Sequence, residues 1–261
     1  MMDSTKEWLF EENQKYYERL EICLRGLFDR AREANELHFA CSLSPEFRGA
    51  QDVGWNTAHE AVVAFDEYTK FINEIPFSAL KARIALSFYT HLSEASGFYE
   101  ILKNMLRVAG GEAYSIWPFM RLVEKHKTTG ARAAPNANKI IRDLVGHAET
   151  IGLSELASCI REAYDPDLRN GYAHADYIIW ADGIRLRKRN GGDPRLVSWG
   201  EFNARLERGL NYFLINRDLV VEYIDTYSTP KIIKASMAPG EPTCDWTIHA
   251  DKEKHMFSIS C

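Results

Sequence analysis

The chain has few cysteines, and those it has are widely spaced. Five occur among 261 residues, at Cys23, Cys41, Cys159, Cys244 and Cys261. Their odd number and the lack of a C-x-x-C pair argue against a disulfide framework and against a zinc knuckle, as is usual in a reducing cytoplasm. We therefore expect free thiols, with Cys23 and Cys159 in the core. A zinc site at Cys244 and His249 would need two further ligands from distant parts of the chain.

Other absences exclude whole classes of function. No apolar run reaches the roughly 18 residues that suggest a membrane span, and the first residues lack the apolar segment of a secretory signal. We therefore expect a cytoplasmic protein that does not enter a membrane. Walker A, G-x-G-x-x-G, H-E-x-x-H and G-x-S-x-G motifs are missing, so metal and nucleotide cofactors have no support and we expect none. The net charge of −5 means that any contact with nucleic acid must come from local basic patches.

What the chain does contain is apolar side chains at helical spacing. The patterns predict helices at about 6–37, 57–75, 78–108, 117–127, 136–150, 153–163 and 201–227. After residue 176 the pattern changes, and Asp182-Gly183 separates two short alternating runs, which predicts a hairpin of residues 177–180 and 184–187. A third strand at 195–199 and short strands near the end follow. The prediction is a mostly α fold, a helical bundle with a β-hairpin insertion and a small C-terminal β segment.

The same patterns suggest a division of the chain. Residues 1–75 are expected to form an N-terminal helical extension that packs on the core. Residues 76–228 form the helical core, with the hairpin at about 177–199, and residues 229–261 form the C-terminal β segment.

The most informative stretch runs from Arg169 to His174, with the sequence Arg-Asn-Gly-Tyr-Ala-His. It follows Asp165-Pro166, an acidic residue and a proline that are typical of a helix start. Cleavage of RNA by its own 2′-hydroxyl needs a proton acceptor, a proton donor and a cation beside the crowded phosphorus. His174 can act as acid or base near neutral pH, and Arg169 can bind two phosphate oxygens at once.

This stretch resembles the R-x(4 to 6)-H motif of the HEPN superfamily of helical bundles, in which a polar residue follows the arginine. Arg169, Asn170 and His174 match the R-N-x-x-x-H version found in nuclease toxins and CRISPR-associated ribonucleases. The resemblance covers roughly residues 78–227. It implies a metal-independent endoribonuclease that leaves 2′,3′-cyclic phosphate ends, in antiviral defence against phages or in a toxin system, with a possible antitoxin or regulatory partner.

The resemblance also implies a homodimer with the motif at its interface. Arg169 and His174 lie roughly 140° apart around a straight helix, so one copy of the motif makes a poor site. Two copies across a two-fold axis would place two arginines and two histidines around one phosphate.

Neighbouring polar residues are expected to support the motif. On the helix predicted at 78–108, His91 and Glu94 point into the apolar face, where unpaired polar groups are costly. Either Glu94 orients His174 or Arg169, with His91 close by, or His91 and Glu94 pair with each other at a helix–helix contact.

Aromatic and basic side chains near the motif offer contacts to RNA. Tyr172 is expected to be available for stacking on a base, whereas Trp117 and Trp180 are expected to be buried. Arg187, Lys188 and Arg189 form a basic run at a strand end, joined by Arg185 and Arg195. This patch either binds the RNA backbone or is a solvated strand edge.

Two other interpretations of the motif stay open. It could belong to a non-catalytic HEPN-like module that dimerises or binds RNA or nucleotides without cleaving them. Alternatively, Arg169 could pair with Asp165 or Asp167 and merely stabilise the helix start.

Overall fold

The computed structural model describes residues 4–44, 57–188, 191–238, 240–251, 253 and 256–261. The helices in these ranges are α1 Ser4–Ala34, α2 Glu36–Leu43, α3 Thr57–Glu74, α4 Ala79–Ser93, α5 Ser96–Ala109, α6 Ala137–Thr150, α7 Ser154–Ala163, α8 Pro166–Ala173 and α9 Trp199–Asp225. The strands are β1 Glu124–Lys125, β2 Arg132–Ala133, β3 Tyr177–Trp180, β4 Gly183–Leu186, β5 Arg195–Ser198, β6 Lys231–Ala235, β7 Cys244–Asp251 and β8 Met256–Ser260. The prediction of a mostly α fold with a small C-terminal β segment is therefore confirmed. Of the helices described, none combines the length and apolarity needed to cross a bilayer.

The first predicted helix is two helices in the structure. Helix α1 ends at Ala34, and the side chain of Asn35 accepts a hydrogen bond from the backbone N–H of His38 at 3.0 Å. Asparagine is among the preferred residues at a helix start because its side chain satisfies a backbone N–H that the helix leaves free. Asn35 therefore begins α2, and the prediction of one continuous helix is wrong.

The helix predicted at 78–108 is also divided, between Glu94, which ends α4, and Ser96, which begins α5. The break lets the first turn of α5 pack directly against the first turn of α3. Gly97 makes this possible, because a Cβ at that position would collide with Thr57 Oγ1.

The prediction of a helix at 117–127 is wrong as well. Those residues contain a short 3-10 turn at Met120–Leu122, followed by β1, which pairs with β2 in antiparallel register. Gly130 has a φ of +68°, a left-handed conformation that glycine adopts without strain. It turns the chain back, so that the stretch forms a small hairpin.

The predicted hairpin and its third strand are confirmed. Strands β3, β4 and β5 form one antiparallel sheet in that order, and its inner face packs Ile184, Leu186 and Val197 on the bundle. Helix α9 then begins at Trp199, two residues earlier than predicted. Strands β6, β7 and β8 form a second antiparallel sheet near the end of the chain.

One pair of cysteines is bonded, contrary to the expectation of free thiols throughout. Cys244 and Cys261 form a disulfide, with Cα atoms 6.5 Å apart. Strands β7 and β8 are antiparallel, so the chain returns past the start of β7 and brings Cys261 beside Cys244. The bond uses the thiol that a zinc site at Cys244 and His249 would need. Cys23 and Cys159 are free, as expected.

The main apolar cluster draws on distant parts of the chain. Leu20, Leu24 and Leu27 of α1 are fully buried in it, together with residues of α5, α6, α7 and α9 and with Ile248 of β7. The stretch expected to be an extension and the stretch expected to be the core thus share one cluster. The division of the chain into domains stays a prediction.

A buried polar network joins α5 to α6. Lys103 of α5 is 1% exposed, and its Nζ lies 2.7 Å from Asp143 Oδ2 and 2.8 Å from His147 Nδ1. Arg121 contacts the other carboxylate oxygen of Asp143 at 2.6 Å. Burial lowers the pKa of Lys103, although Asp143 opposes that shift. A lysine ammonium can only donate, so His147 accepts through Nδ1 and carries its proton on Nε2.

Acidification is expected to destabilise the protein through His147. Burial, and then the charge of Lys103, lower the pKa of His147 to about 4, below the value of about 6.5 for an unperturbed histidine. Between these values the unfolded chain binds a proton that the folded chain does not, so stability falls as the pH falls. From about pH 7 to about pH 5, we expect the wild type to lose roughly 2 kcal/mol more free energy of unfolding than His147→Gln.

The glutamine oxygen of this variant can still accept from Lys103, so only the titration is removed. Urea unfolding at both pH values measures the difference. The same pH dependence in both proteins would contradict the role of His147.

Candidate functional site

Helix α8 begins where the sequence predicts. The Asp165 carboxylate accepts hydrogen bonds from the backbone N–H groups of Asp167 and Leu168, at 3.0 and 3.2 Å, and Pro166 is the first helical residue. Leu168 is fully buried in a cluster with residues of α4 and of the β3–β5 sheet. The cap and this buried leucine fix the position of the residues that follow.

The helix ends at the last residue of the motif. The backbone N–H of His174 donates to the carbonyl oxygen of Asn170 at 3.0 Å, and His174 is the C-terminal cap of α8. The next residue, Ala175, has a φ of 54°, which residues other than glycine seldom adopt. It turns the chain towards β3 and leaves the side chain of His174 exposed at the helix end.

Arg169, Asn170 and His174 line one cleft, with a volume of about 500 Å³. Asn138 of α6 also lines it, as do the basic Arg187 and Lys188 just after β4 and the acidic Asp167 and Asp176. Arg169 and His174 both line this cleft, although they lie at a large angle to each other around the helix.

A chain of hydrogen bonds orders the floor of this cleft. The Tyr164 hydroxyl donates to Asn138 Oδ1, and Asn138 Nδ2 donates to Asn170 Oδ1 at 3.4 Å. Arg169 Nη1 donates to the same Asn170 oxygen at 2.8 Å. Because that oxygen already accepts twice, the amide N–H groups of Asn170 are the ones that can donate to a ligand in the cleft.

Arg169 is held by a carboxylate from another helix. Its Nη2 donates to Glu94 at the end of α4, and its side chain is 14% exposed. This is one of the two arrangements expected for Glu94. The Nε of Arg169 is buried and has no hydrogen-bond partner within the described residues.

The acidic residues at the helix start bind a different arginine. Arg195 contacts Asp165 at 2.8 Å, Asp167 at 3.1 Å and Glu201 at 2.7 Å. The interpretation in which Arg169 pairs with Asp165 or Asp167 is therefore wrong. Three carboxylates hold Arg195, which also lines the cleft.

Two of the residues expected to support the motif do not line the cleft. His91 lies on α4 with its ring 6.1 Å from that of Tyr68, and its buried Nε2 finds no acceptor or donor in the described parts of the chain. Tyr172 stacks on Tyr177, with ring centres 5.9 Å apart, and packs against the cluster behind the sheet. That packing occupies the ring that was expected to be available for a base.

Two tryptophans are more exposed than expected. Trp117 is 40% exposed and Trp180 is 58% exposed, so the expectation that both are buried is wrong. Trp180 lies on an edge strand of the sheet, where its side chain points away from the bundle. The hydrophobicity of Trp180 alone does not predict which face of the strand points to solvent.

The basic run after β4 is partly described. Arg187 and Lys188 are exposed and line the cleft, whereas Arg189 lies outside the described residues. Arg187 Nη1 is 4.0 Å from Asp176 Oδ1, too far for a hydrogen bond.

Sequence reasoning missed Asn138 and Tyr164. Tyr164 lies directly before Asp165 but carries no signal of its partner, and asparagine near a helix start, such as Asn138, is usually explained by capping. Only the hydrogen bonds of Asn138 to Tyr164 and to Asn170 connect them to the site.

Within the described residues, no three His, Cys, Asp or Glu side chains stand close enough to hold a metal ion. Comparison with protein-family models, with curated proteins and with solved structures finds no match. Membership of the HEPN superfamily therefore stays a hypothesis, which depends on the motif residues and their setting.

Proposed function

We propose that the cleft at the end of α8 is the active site of a metal-independent endoribonuclease of HEPN type. The observation that supports it best is that Arg169, Asn170 and His174 line one cleft, together with the exposed Arg187 and Lys188. This set offers a proton-transfer group, phosphate ligands and a cationic entrance for a polyanion.

The chemistry assigns a role to each motif residue. His174 accepts the proton of a 2′-hydroxyl, whose oxygen attacks the adjacent phosphorus while the bond from phosphorus to the 5′ oxygen breaks. Asn170 donates an amide N–H to the phosphate, and Arg169 neutralises its growing charge. The products are a 2′,3′-cyclic phosphate and a 5′-hydroxyl.

The departing 5′ oxygen needs a proton, and a single copy of the motif supplies one histidine. A homodimer with the motif at its interface would provide His174 of a second copy as the donor. RNA is the substrate of this proposal, and dimerisation is part of it.

The wild type is expected to cut single-stranded RNA in excess EDTA and to leave 2′,3′-cyclic phosphate ends. The matched control is DNA of the same sequence, which lacks the 2′-hydroxyl nucleophile and should stay intact. The activity should elute with the protein peak on a sizing column. Cleavage of the DNA, or cleavage only with added metal ions, would contradict the mechanism.

One observation favours a second candidate function. Glu94 occupies the guanidinium of Arg169, so a phosphate must displace that carboxylate before it can use the charge. A site held in this way fits a non-catalytic HEPN-like module that dimerises or binds RNA or nucleotides. RNA binding without cleavage would favour this alternative.

The wider setting follows from the resemblance alone. On that basis we place the protein in phage defence or in a toxin system, with an antitoxin or regulatory partner that restrains it. The cytoplasmic location comes from the sequence instead, and the Cys244–Cys261 disulfide argues against it, because such bonds are rare in a reducing cytoplasm.

A further inference from the structure

The outer face of the β3–β5 sheet is exposed and carries large apolar side chains. Ile178, Arg185 and Leu196 lie in one row across the three strands, because they are paired in register. Ile178 is 60% exposed and Leu196 is 47% exposed. Trp180, two residues along β3 and therefore on the same side, is 58% exposed. We call these four residues the Trp180 face.

Two arginines follow one another from the Trp180 face towards the cleft. The guanidinium of Arg185 lies 5.3 Å from the centre of the Trp180 ring, and Asp182 holds it at 2.8 and 3.2 Å. Arg187 follows two residues later, about 6.7 Å along an extended chain and on the same side. Its backbone N–H extends the strand by donating to the carbonyl oxygen of Asp176 at 2.9 Å.

Arg187 connects the Trp180 face to the cleft. Its side chain is 79% exposed and it also lines the cleft beside the motif. A strand lying on the sheet would therefore meet an aromatic ring, then two arginines, and then the opening that contains His174.

We propose that the Trp180 face binds single-stranded RNA and leads it to the cleft, with a base stacked on Trp180 and phosphates against Arg185 and Arg187. The proposal takes RNA as ligand from the proposed function and adds the requirement for unpaired bases. A base offers its face to an aromatic side chain only when it is unstacked, as in single strands. The arginines complement the charge of the RNA backbone on a chain that is acidic as a whole.

The test separates binding from cleavage by using His174→Ala protein with a fluorescent oligouridylate of about 12 nucleotides. Added to this background, Trp180→Ala is expected to raise the Kd by at least about fivefold, because stacking contributes strongly to single-strand binding. Trp180→Phe keeps an aromatic ring and should restore most of the affinity. Trp117→Ala removes another exposed tryptophan and should leave the Kd unchanged. A duplex of the same length should bind at least about fivefold more weakly than the single strand.

Three results would overturn the proposal. They are an unchanged Kd in Trp180→Ala, equal binding of duplex and single strand, and conversion of a dimer into a monomer by Trp180→Ala. The last result would assign the Trp180 face to a contact between copies.

The experiments can refute the proposed role of the Trp180 face and the proposed nuclease activity independently of each other. Binding through Trp180 by a wild type that never cleaves RNA would support the face and refute the nuclease. RNA cleavage with an unchanged KM in Trp180→Ala would support the nuclease and refute the face.

Discussion

Replacing Asp143 with alanine is expected to lower the free energy of unfolding by about 3–5 kcal/mol. Lys103 is 1% exposed, and Asp143 lies 2.7 Å from its ammonium group. Without that carboxylate the ammonium would keep a contact with His147 Nδ1 but would lose its closest counter-charge. A buried charge that loses its partner is among the most destabilising changes a protein meets. Urea denaturation, with the midpoint and slope compared to those of the wild type, measures the loss.

Two further variants separate the buried pair from its surroundings. Arg121 also contacts Asp143, but its side chain is 60% exposed, so Arg121→Ala should cost less than about 1 kcal/mol. The double variant Lys103→Met, Asp143→Leu replaces both charges with apolar groups and should stay within about 2 kcal/mol of the wild type. If Asp143→Ala cost less than about 1 kcal/mol, Lys103 would have to be a neutral amine in the folded protein, and our assignment of a buried ion pair would be wrong.

The parts of this fold that the sequence predicts well depend on residues close together in the chain. Asp165-Pro166 marks the start of α8 because the cap and the first helical residue are neighbours. Asp182-Gly183 marks the hairpin for the same reason, since the turn is set by its own two or three residues. Strand β5 approaches this turn so closely that only glycine fits at position 183, because a Cβ there would collide with the carbonyl oxygen of Val197.

The parts of the fold that the sequence does not predict depend on contacts between residues far apart in the chain. Periodicity favours a continuous helix through Glu94, yet the packing of α5 against α3 divides it. The pairing of Glu94 with Arg169 stood as one of two alternatives, and only the position of α8 against α4 decides between them. From the sequence alone, Lys103 would be expected to be solvated. It is buried because Asp143 and His147 on a neighbouring helix contact it. Contacts between residues so far apart in the chain cannot be predicted from the pattern of neighbouring residues.

The largest effect on function is expected at His174. Replacing it with alanine should lower the rate of RNA cleavage by about 10²- to 10⁴-fold, the usual contribution of a general acid or base. The side chain is exposed at the end of α8, so the melting temperature should barely change. The rate is measured with labelled single-stranded RNA in EDTA. His126→Ala removes another exposed histidine, far from the motif in sequence, and should cleave like the wild type.

Free imidazole provides a sharper test of the same role, because a small base can enter the space that the side chain leaves. Part of the lost activity should return in His174→Ala, and none should return in Arg169→Ala, which keeps its histidine but lacks the cation. Full activity in His174→Ala would place the chemistry outside this cleft. If neither the wild type nor the variant cleaves RNA while both bind it, the Glu94–Arg169 pair is better explained as the fixed arrangement of a binding module.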